Sequence, residues 1–126
     1  MSKRILVVED QEDLRAILRD FLSASGYTVI EAVDGAESVA KAASDQPDLV
    51  LMDIQLPVLD GYDATRQIKA LPGFAAMPII AVSSFAMKGD EEKARASGCD
   101  DYVTKPYSPV DFLRLVKRYL GKTAQR

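Results

Sequence analysis

The sequence contains no histidine among its 126 residues. That absence excludes Ser-His-Asp and Cys-His catalysis within the chain, removes the commonest zinc ligand, and rules the protein out as a phosphohistidine donor. Cysteine is nearly absent as well. The lone Cys99 cannot form an internal disulfide, which suits a reducing cytoplasm, and without a resolving partner it reads as an inert buried or half-buried thiol. Long apolar runs are missing too. The run Ile5-Leu6-Val7-Val8 is cut off by Glu9-Asp10, too short for a signal-peptide core, and no stretch is long enough to cross a bilayer. A cytoplasmic protein with no membrane insertion is expected. Basic clusters are also lacking: Lys and Arg are spread along a chain of net charge −3, which gives no footprint for nucleic acid.

What is present fits one ordinary globular domain, 48% hydrophobic and 28% charged, large enough to bury roughly two thirds of its unfolded surface. Short branched apolar runs alternate with helical periods from end to end, which predicts βαβ units and a parallel sheet. Strands are expected at residues 4–8, 28–32, 49–53, 79–83 and 102–104. Between the first two, Leu14, Ile17, Leu18, Phe21 and Leu22 fall on one face of a helix that Gly26 stops. The next helix carries Ala36, Val39, Ala40 and Ala43 at the same spacing. A loop, Gln55-Leu56-Pro57-Val58-Leu59-Asp60-Gly61, opens a third helix with Tyr62, Thr65 and Ile68 inward. The segment from Lys88 to Ala96 has little apolar content beyond alanine and reads as a marginally packed helix. The last helix has Ser108 as N-cap, Pro109 in its first turn, and Phe112, Leu113, Val116, Tyr119 and Leu120 inward.

The strand ends carry the chemistry. Glu9-Asp10 closes the first apolar run and Asp53 the third; Ser83 ends the fourth strand and Lys105 follows the fifth. Right-handed crossovers allow the order 2-1-3-4-5 with helices on both faces, in which the ligand crevice lies between strands one and three. Asp10 and Asp53 then face each other across it. Three carboxylates at one sheet edge repel one another, an arrangement that makes physical sense around a hard divalent cation such as Mg2+. Phosphoryl transfer needs a nucleophile, a metal and donors for the equatorial charge. Asp53 can attack to form an aspartyl phosphate, Asp10 with Glu9 can hold Mg2+, and Ser83 and Lys105 can donate to the phosphoryl group.

With these residues at these positions, the chain resembles the receiver domains of two-component response regulators, the CheY-like family. Glu9-Asp10, Asp53 within Leu51-Met52-Asp53-Ile54-Gln55-Leu56-Pro57, Asp60-Gly61, Ser83, Tyr102 and Lys105-Pro106 carry the resemblance, which spans residues 3–120. Asp53-Ile54-Gln55-Leu56-Pro57 and Phe85 to Glu92 with Gly98-Cys99 are similar to stand-alone regulators of the DivK type. The resemblance implies that residues 1–126 form a single receiver domain with no output domain. It implies that Asp53 accepts phosphate from a sensor histidine kinase or a histidine phosphotransfer protein. It further implies that Asp10, Asp53 and the backbone carbonyl of Gln55 bind Mg2+, with Glu9 assisting through metal-bound water, and that Ser83 and Lys105 bind the phosphoryl oxygens. Tyr102 becomes the switch aromatic, the Lys105-Pro106 bond is expected to be cis, and a downstream protein is expected to read the face made by the fourth helix, fifth strand and last helix. Ser84 and the bulky Phe85 depart from the common family pattern.

Each residue also has a plainer reading. Glu9-Asp10 can serve the amino-terminal end of a helix, Ser83 can cap a turn, Tyr102 can simply pack against a helix, and Lys88 to Lys93 can be a solvated face. Other functions compete as well. A Mg2+-dependent phosphatase with an aspartate nucleophile places a second acid where this chain has Gln55. A flavodoxin-like FMN carrier lacks its phosphate loop here, because Glu9-Asp10 would repel phosphate. A shuttle receiver within a multistep phosphorelay uses the same site.

Overall fold

The computed structural model describes residues 3–83, 89–105 and 108–120. Ser84, Phe85 and the Lys105-Pro106 bond, singled out from the sequence, are not wholly within those residues. Strands β1 (Arg4–Val8), β2 (Thr28–Ala32), β3 (Leu49–Asp53), β4 (Ile79–Ser83) and β5 (Asp101–Thr104) alternate with helices α1 (Glu12–Ala24), α2 (Gly35–Asp45), α3 (Gly61–Ala70), α4 (Asp90–Ser97) and α5 (Pro109–Leu120). The strands form one parallel sheet in the order β2-β1-β3-β4-β5.

The central strands are apolar along their whole length because both faces are covered. Their side chains alternate between two cores with the two-residue period of a strand. Ile5, Val7, Leu49, Leu51, Ile80 and Val82 pack against Leu18 and Leu22 of α1 and Phe112, Val116 and Leu120 of α5. Leu6, Val8, Val50, Met52, Ile79 and Ala81 pack against Ala42 of α2, Ala64 and Ile68 of α3, and Ala94 of α4. The pairing of Val8 with Met52 and of Met52 with Ala81 levels the carboxyl ends of the three central strands. Whatever follows those strands therefore meets at one edge.

Two helix faces differ from the sequence expectation. On α1, Ile17 is 63% exposed while Leu18 and Leu22 are buried, because the helix sits at the sheet margin and only part of its apolar stripe finds the core. On α2 the face is rotated: Ala36, Ala40 and Ala43 are exposed, and Gly35, Ser38 and Ala42 are buried. The inward positions are small because backbone lies close by. A Cβ at Gly35 would overlap the Leu59 carbonyl oxygen, and the buried Ser38 hydroxyl is satisfied by donating to the Gly35 carbonyl at 2.6 Å. Alanine spacing cannot distinguish these faces, since an exposed alanine costs almost nothing.

α4 is eight residues long and buries only Ala94 and Ser97, as its composition led one to expect. Polar links supplement that thin packing: Lys93 Nζ lies 5.4 Å from the Tyr62 ring centroid, and Arg95 donates to the Asp100 carbonyl at 3.1 Å. The final helix begins as read, with the Asp111 amide donating to Ser108 Oγ at 3.4 Å.

α3 starts directly against the end of β3. Asp60 caps it by accepting from the Asp63 amide at 2.9 Å, and the Gly61 amide donates to the Ile54 carbonyl at 3.1 Å. A Cβ at Gly61 would overlap the Asp53 carbonyl oxygen and lie 2.7 Å from Ile54 Cα. Both are backbone atoms at the functional edge, so the chain must shift. Gly61→Ala is expected to destabilise the fold by about 1 to 3 kcal/mol, the usual cost of overpacking, as measured by urea unfolding. A variant as stable as the wild type would show that α3 is not seated as described.

Candidate functional site

The sheet edge gathers residues from four strand ends. Glu9 follows β1 and is 2% exposed, Asp53 ends β3 and is 4% exposed, and Ser83 ends β4 and is also buried. Asp10 is exposed at the rim. Carboxylate oxygens of Glu9, Asp10 and Asp53 lie within 4.8 Å of one another, the spacing of a shared metal ion. Lys105, just beyond β5, reaches back so that Nζ lies 3.0 Å from Glu9 Oε1 and 3.6 Å from Asp53 Oδ2.

Local backbone fixes the two buried acids. Glu9 Oε2 accepts from the Gln11 amide at 3.1 Å, so the acid is held at the entrance to α1. The helix N-cap itself is Gln11 and has no side-chain capping bond of its own; the Glu9 carboxylate at its amide is compatible with the plainer reading of an acid serving that helix end. Asp53 Oδ1 accepts from the Gln55 amide at 3.0 Å. The Gln55 side-chain amide donates to Ser83 Oγ at 3.1 Å, linking the residue two beyond Asp53 to the next strand end. The Lys105 amide donates to the Ser83 carbonyl at 2.7 Å, which ties the β5 exit to the β4 exit.

Every residue singled out around the acids from the sequence, Glu9, Asp10, Asp53, Gln55, Ser83 and Lys105, is thus at one edge. Tyr102 is set apart from them. It is half-buried in β5 and packs against the core beneath α2, α3 and α4. Sequence reading assigned nothing to strand two, yet Glu31 of β2 and Arg15 of α1 join the site's surroundings: Arg15 Nη1 donates to the Glu9 carbonyl at 2.9 Å and its Nε to Glu31 at 3.0 Å. No local motif marks an arginine inside a helix as a partner of a strand end. Cys99 is buried beside Thr65 and Ser97, 3.6 and 3.8 Å away, and burial pushes its thiol up from the ordinary value. That suits an inert side chain.

Electrostatics sets the character of the site. Burial, and then the charge of Glu9, push the Asp53 carboxyl up from an ordinary 3.8 to about 7, against the opposing pull of Lys105 and the Gln55 amide. A single lysine therefore does not fully compensate two buried acids. The donor set is hard oxygen, partly buried and short of positive charge, which is what Mg2+ requires and what a soft metal would not select.

The comparisons with known proteins agree with this geometry. Residues 5–117 match the response regulator receiver domain family. The polar-differentiation response regulator DivK of Brucella ovis is 44% identical over 121 residues, covering 96% of this chain and 98% of that protein; DivK of Brucella abortus (strain 2308) matches equally. Among solved structures, the receiver domain of a sensor histidine kinase from Pseudomonas aeruginosa PAO1, with a magnesium ion coordinated in its active-site cleft, superposes with a TM-score of 0.89. It is 37% identical and covers 96% of this chain and 99% of that one. The receiver of a signal transduction histidine kinase from Syntrophus aciditrophicus gives 0.89 at 30% identity, covering 99% and 95%. The chain belongs to the response regulator receiver domain family, the signalling switches of two-component systems. Within it, the chain is similar to DivK over nearly the whole length of both proteins. No helix among the described residues is long and apolar enough to cross a membrane.

The raised Asp53 carboxyl has a consequence for stability. Between 3.8 and about 7 the folded protein holds a proton that the unfolded chain has released. Stability must therefore fall as pH rises through that window and level off above it. Melting in EDTA is expected to show a lower Tm at about pH 7.5 than at about pH 5, with the slope largely removed in Asp53→Asn, which should also melt higher than the wild type above pH 7. A wild-type Tm that rises over the same range, or an Asp53→Asn profile that parallels it, would contradict the assignment.

Proposed function

We propose that this chain is a phosphoacceptor switch in which Asp53 takes a phosphoryl group from a partner phosphohistidine. The observation that carries the reading is Lys105 Nζ placed between Glu9 and Asp53, with Ser83 at the adjoining strand end. Asp10, Asp53 and the backbone carbonyl of Gln55 would hold Mg2+, with Glu9 acting through bound water. When bound, the ion supplies positive charge to phosphoryl oxygens in flight.

The protein's own residues do the rest. Asp53 attacks phosphorus as the phosphorus–nitrogen bond of the donor breaks, and the nitrogen keeps the electron pair. Lys105 and Ser83 then donate to the oxygens of the transferred group, stabilising charge that spreads over them in the transition state. Because this chain has no histidine, the donating phosphohistidine lies outside it, on a sensor histidine kinase or a histidine phosphotransfer protein. The same residues assist the later loss of phosphate from Asp53, but turnover of phosphomonoesters is not expected: Gln55 stands where a phosphatase of this chemistry carries its second acid. A shuttle receiver in a multistep phosphorelay uses the same site and differs only in its partners. The absence of a disulfide partner for Cys99 supports a cytoplasmic setting.

Output runs through the far side of β4 and β5. Drawing Ser83 toward the phosphoryl group frees space that Tyr102 can fill, and the elements around it are already joined. Tyr119 of α5 donates to Asp101 Oδ2 at 3.0 Å and to the Asp100 carbonyl at 3.2 Å, and Arg95 of α4 also donates to that carbonyl. Burial and Asp101 push the Tyr119 hydroxyl up to about 12, so it remains a donor at physiological pH. A displacement in β5 is thereby passed to α4 and α5 together, and a protein target reads that face.

Acetyl phosphate with MgCl2 is expected to add one phosphoryl group to the wild type and none to Asp53→Asn, since an amide cannot form the acyl phosphate. Intact-mass spectrometry reads this directly. Equal labelling of the two proteins, or labelling undiminished by EDTA, would sink the reading.

A further inference from the structure

The two acids that follow β1 are consecutive, so the peptide unit between them sets the direction of both side chains. That unit carries the Glu9 carbonyl, which accepts from Arg15 Nη1 at 2.9 Å. The residue is also held from the other side, because the Glu9 amide donates to the Ala32 carbonyl at 3.1 Å. Arg15 is itself oriented: its Nε pairs with Glu31 Oε1 at 3.0 Å, and its side chain is only 15% exposed. Glu31 is anchored in turn within β2, where Lys41 of α2 donates to its carbonyl. The guanidinium thus bridges two strand ends through its fork, a geometry that a lysine ammonium cannot reproduce.

We infer that Arg15 is a positioning residue for the cation site: by clamping the Glu9 carbonyl to Glu31, it holds Glu9 and Asp10 in the arrangement that binds Mg2+. This rests on the proposed reading of Glu9, Asp10 and Asp53 as the Mg2+ site. The effect is distinguishable from electrostatics because the two have opposite signs. A positive charge near three acids repels a divalent cation, so deleting it should tighten binding if charge alone matters. Loss of the clamp loosens the acids and weakens binding, as loss of residues that orient metal ligands generally does.

Arg19 provides an internal control. It lies one turn further along α1 and also reaches Glu31, at 3.5 Å from Nη1 to Oε2, while pairing with Asp20 at 3.2 Å. No hydrogen bond from it to the Glu9 carbonyl is found among the described residues. Removing it deletes the same charge and a contact to the same acid, but leaves the clamp in place.

The test is isothermal titration with MgCl2 alone, well below the Tm of every variant measured in EDTA. Arg15→Met, which keeps the aliphatic stem, and Arg15→Lys, which keeps the charge, should each raise the Mg2+ Kd about tenfold. Arg19→Met should leave it within about twofold or tighten it slightly through the lost charge. Should Arg15→Met fail to fold, Arg15→Lys decides alone. Either Arg15 variant binding Mg2+ as tightly as the wild type or more tightly overturns the inference. A wild type that does not bind Mg2+, or an Asp10→Asn variant that binds it equally well, overturns the metal reading itself, a separate result.

Discussion

The structure is organised around a repulsion. Two carboxylates, Glu9 and Asp53, are buried at adjacent strand ends, with a third, Asp10, at the rim. Burying a charge is costly unless it is paired and hydrogen-bonded, and here the pairing is incomplete: Lys105 serves two acids, closer to Glu9 than to Asp53. The shortfall appears as the proton that Asp53 retains to about neutral pH. A Mg2+ ion held by Glu9, Asp10 and Asp53, as proposed above, would offset that uncompensated charge.

Much of the remaining architecture keeps the repelling groups in place. Both central cores fix β1 against β3 in a register that leaves Glu9 and Asp53 level. Gly61 lets α3 start against the Asp53 carbonyl, so the Asp53 backbone is bounded by a helix as well as by two strands. The Lys105 amide is held by the Ser83 carbonyl, which places the balancing cation. Asp53 is thus linked to Ser83 through Gln55 and to Lys105 directly, and β5 has polar links to α4 and α5 beyond them. Beside these links α4 is thinly anchored, burying only Ala94 and the polar Ser97.

The sheet order and the meeting of Glu9, Asp10, Asp53, Ser83 and Lys105 at one edge were legible from the sequence, for a common reason. Buried parallel strands are continuous apolar runs, and a polar residue that ends such a run must lie at the carboxyl edge. Helix faces were less legible. On α2, Ala36, Ala40 and Ala43 share the spacing of a core stripe but face solvent, because what selects the buried face is the close backbone at Gly35, a tertiary fact. Val58, at φ 70° in the β3–α3 loop, carries no local signal of its left-handed backbone, which a β-branched residue rarely adopts. The Arg15–Glu31 bridge joins residues 16 positions apart, and neither residue type nor spacing marks them as neighbours of the site.

The most direct test of the central claim is a titration of the Asp53 carboxyl carbon followed by NMR in metal-free protein. The account predicts a midpoint near 7, moving to lower pH with saturating MgCl2 because a cation and a proton compete for the same carboxylate. A midpoint at the ordinary carboxylate value of 3.8, unmoved by Mg2+, would contradict it: the acids would then be fully compensated within the fold, with no electrostatic need left for a metal to fill.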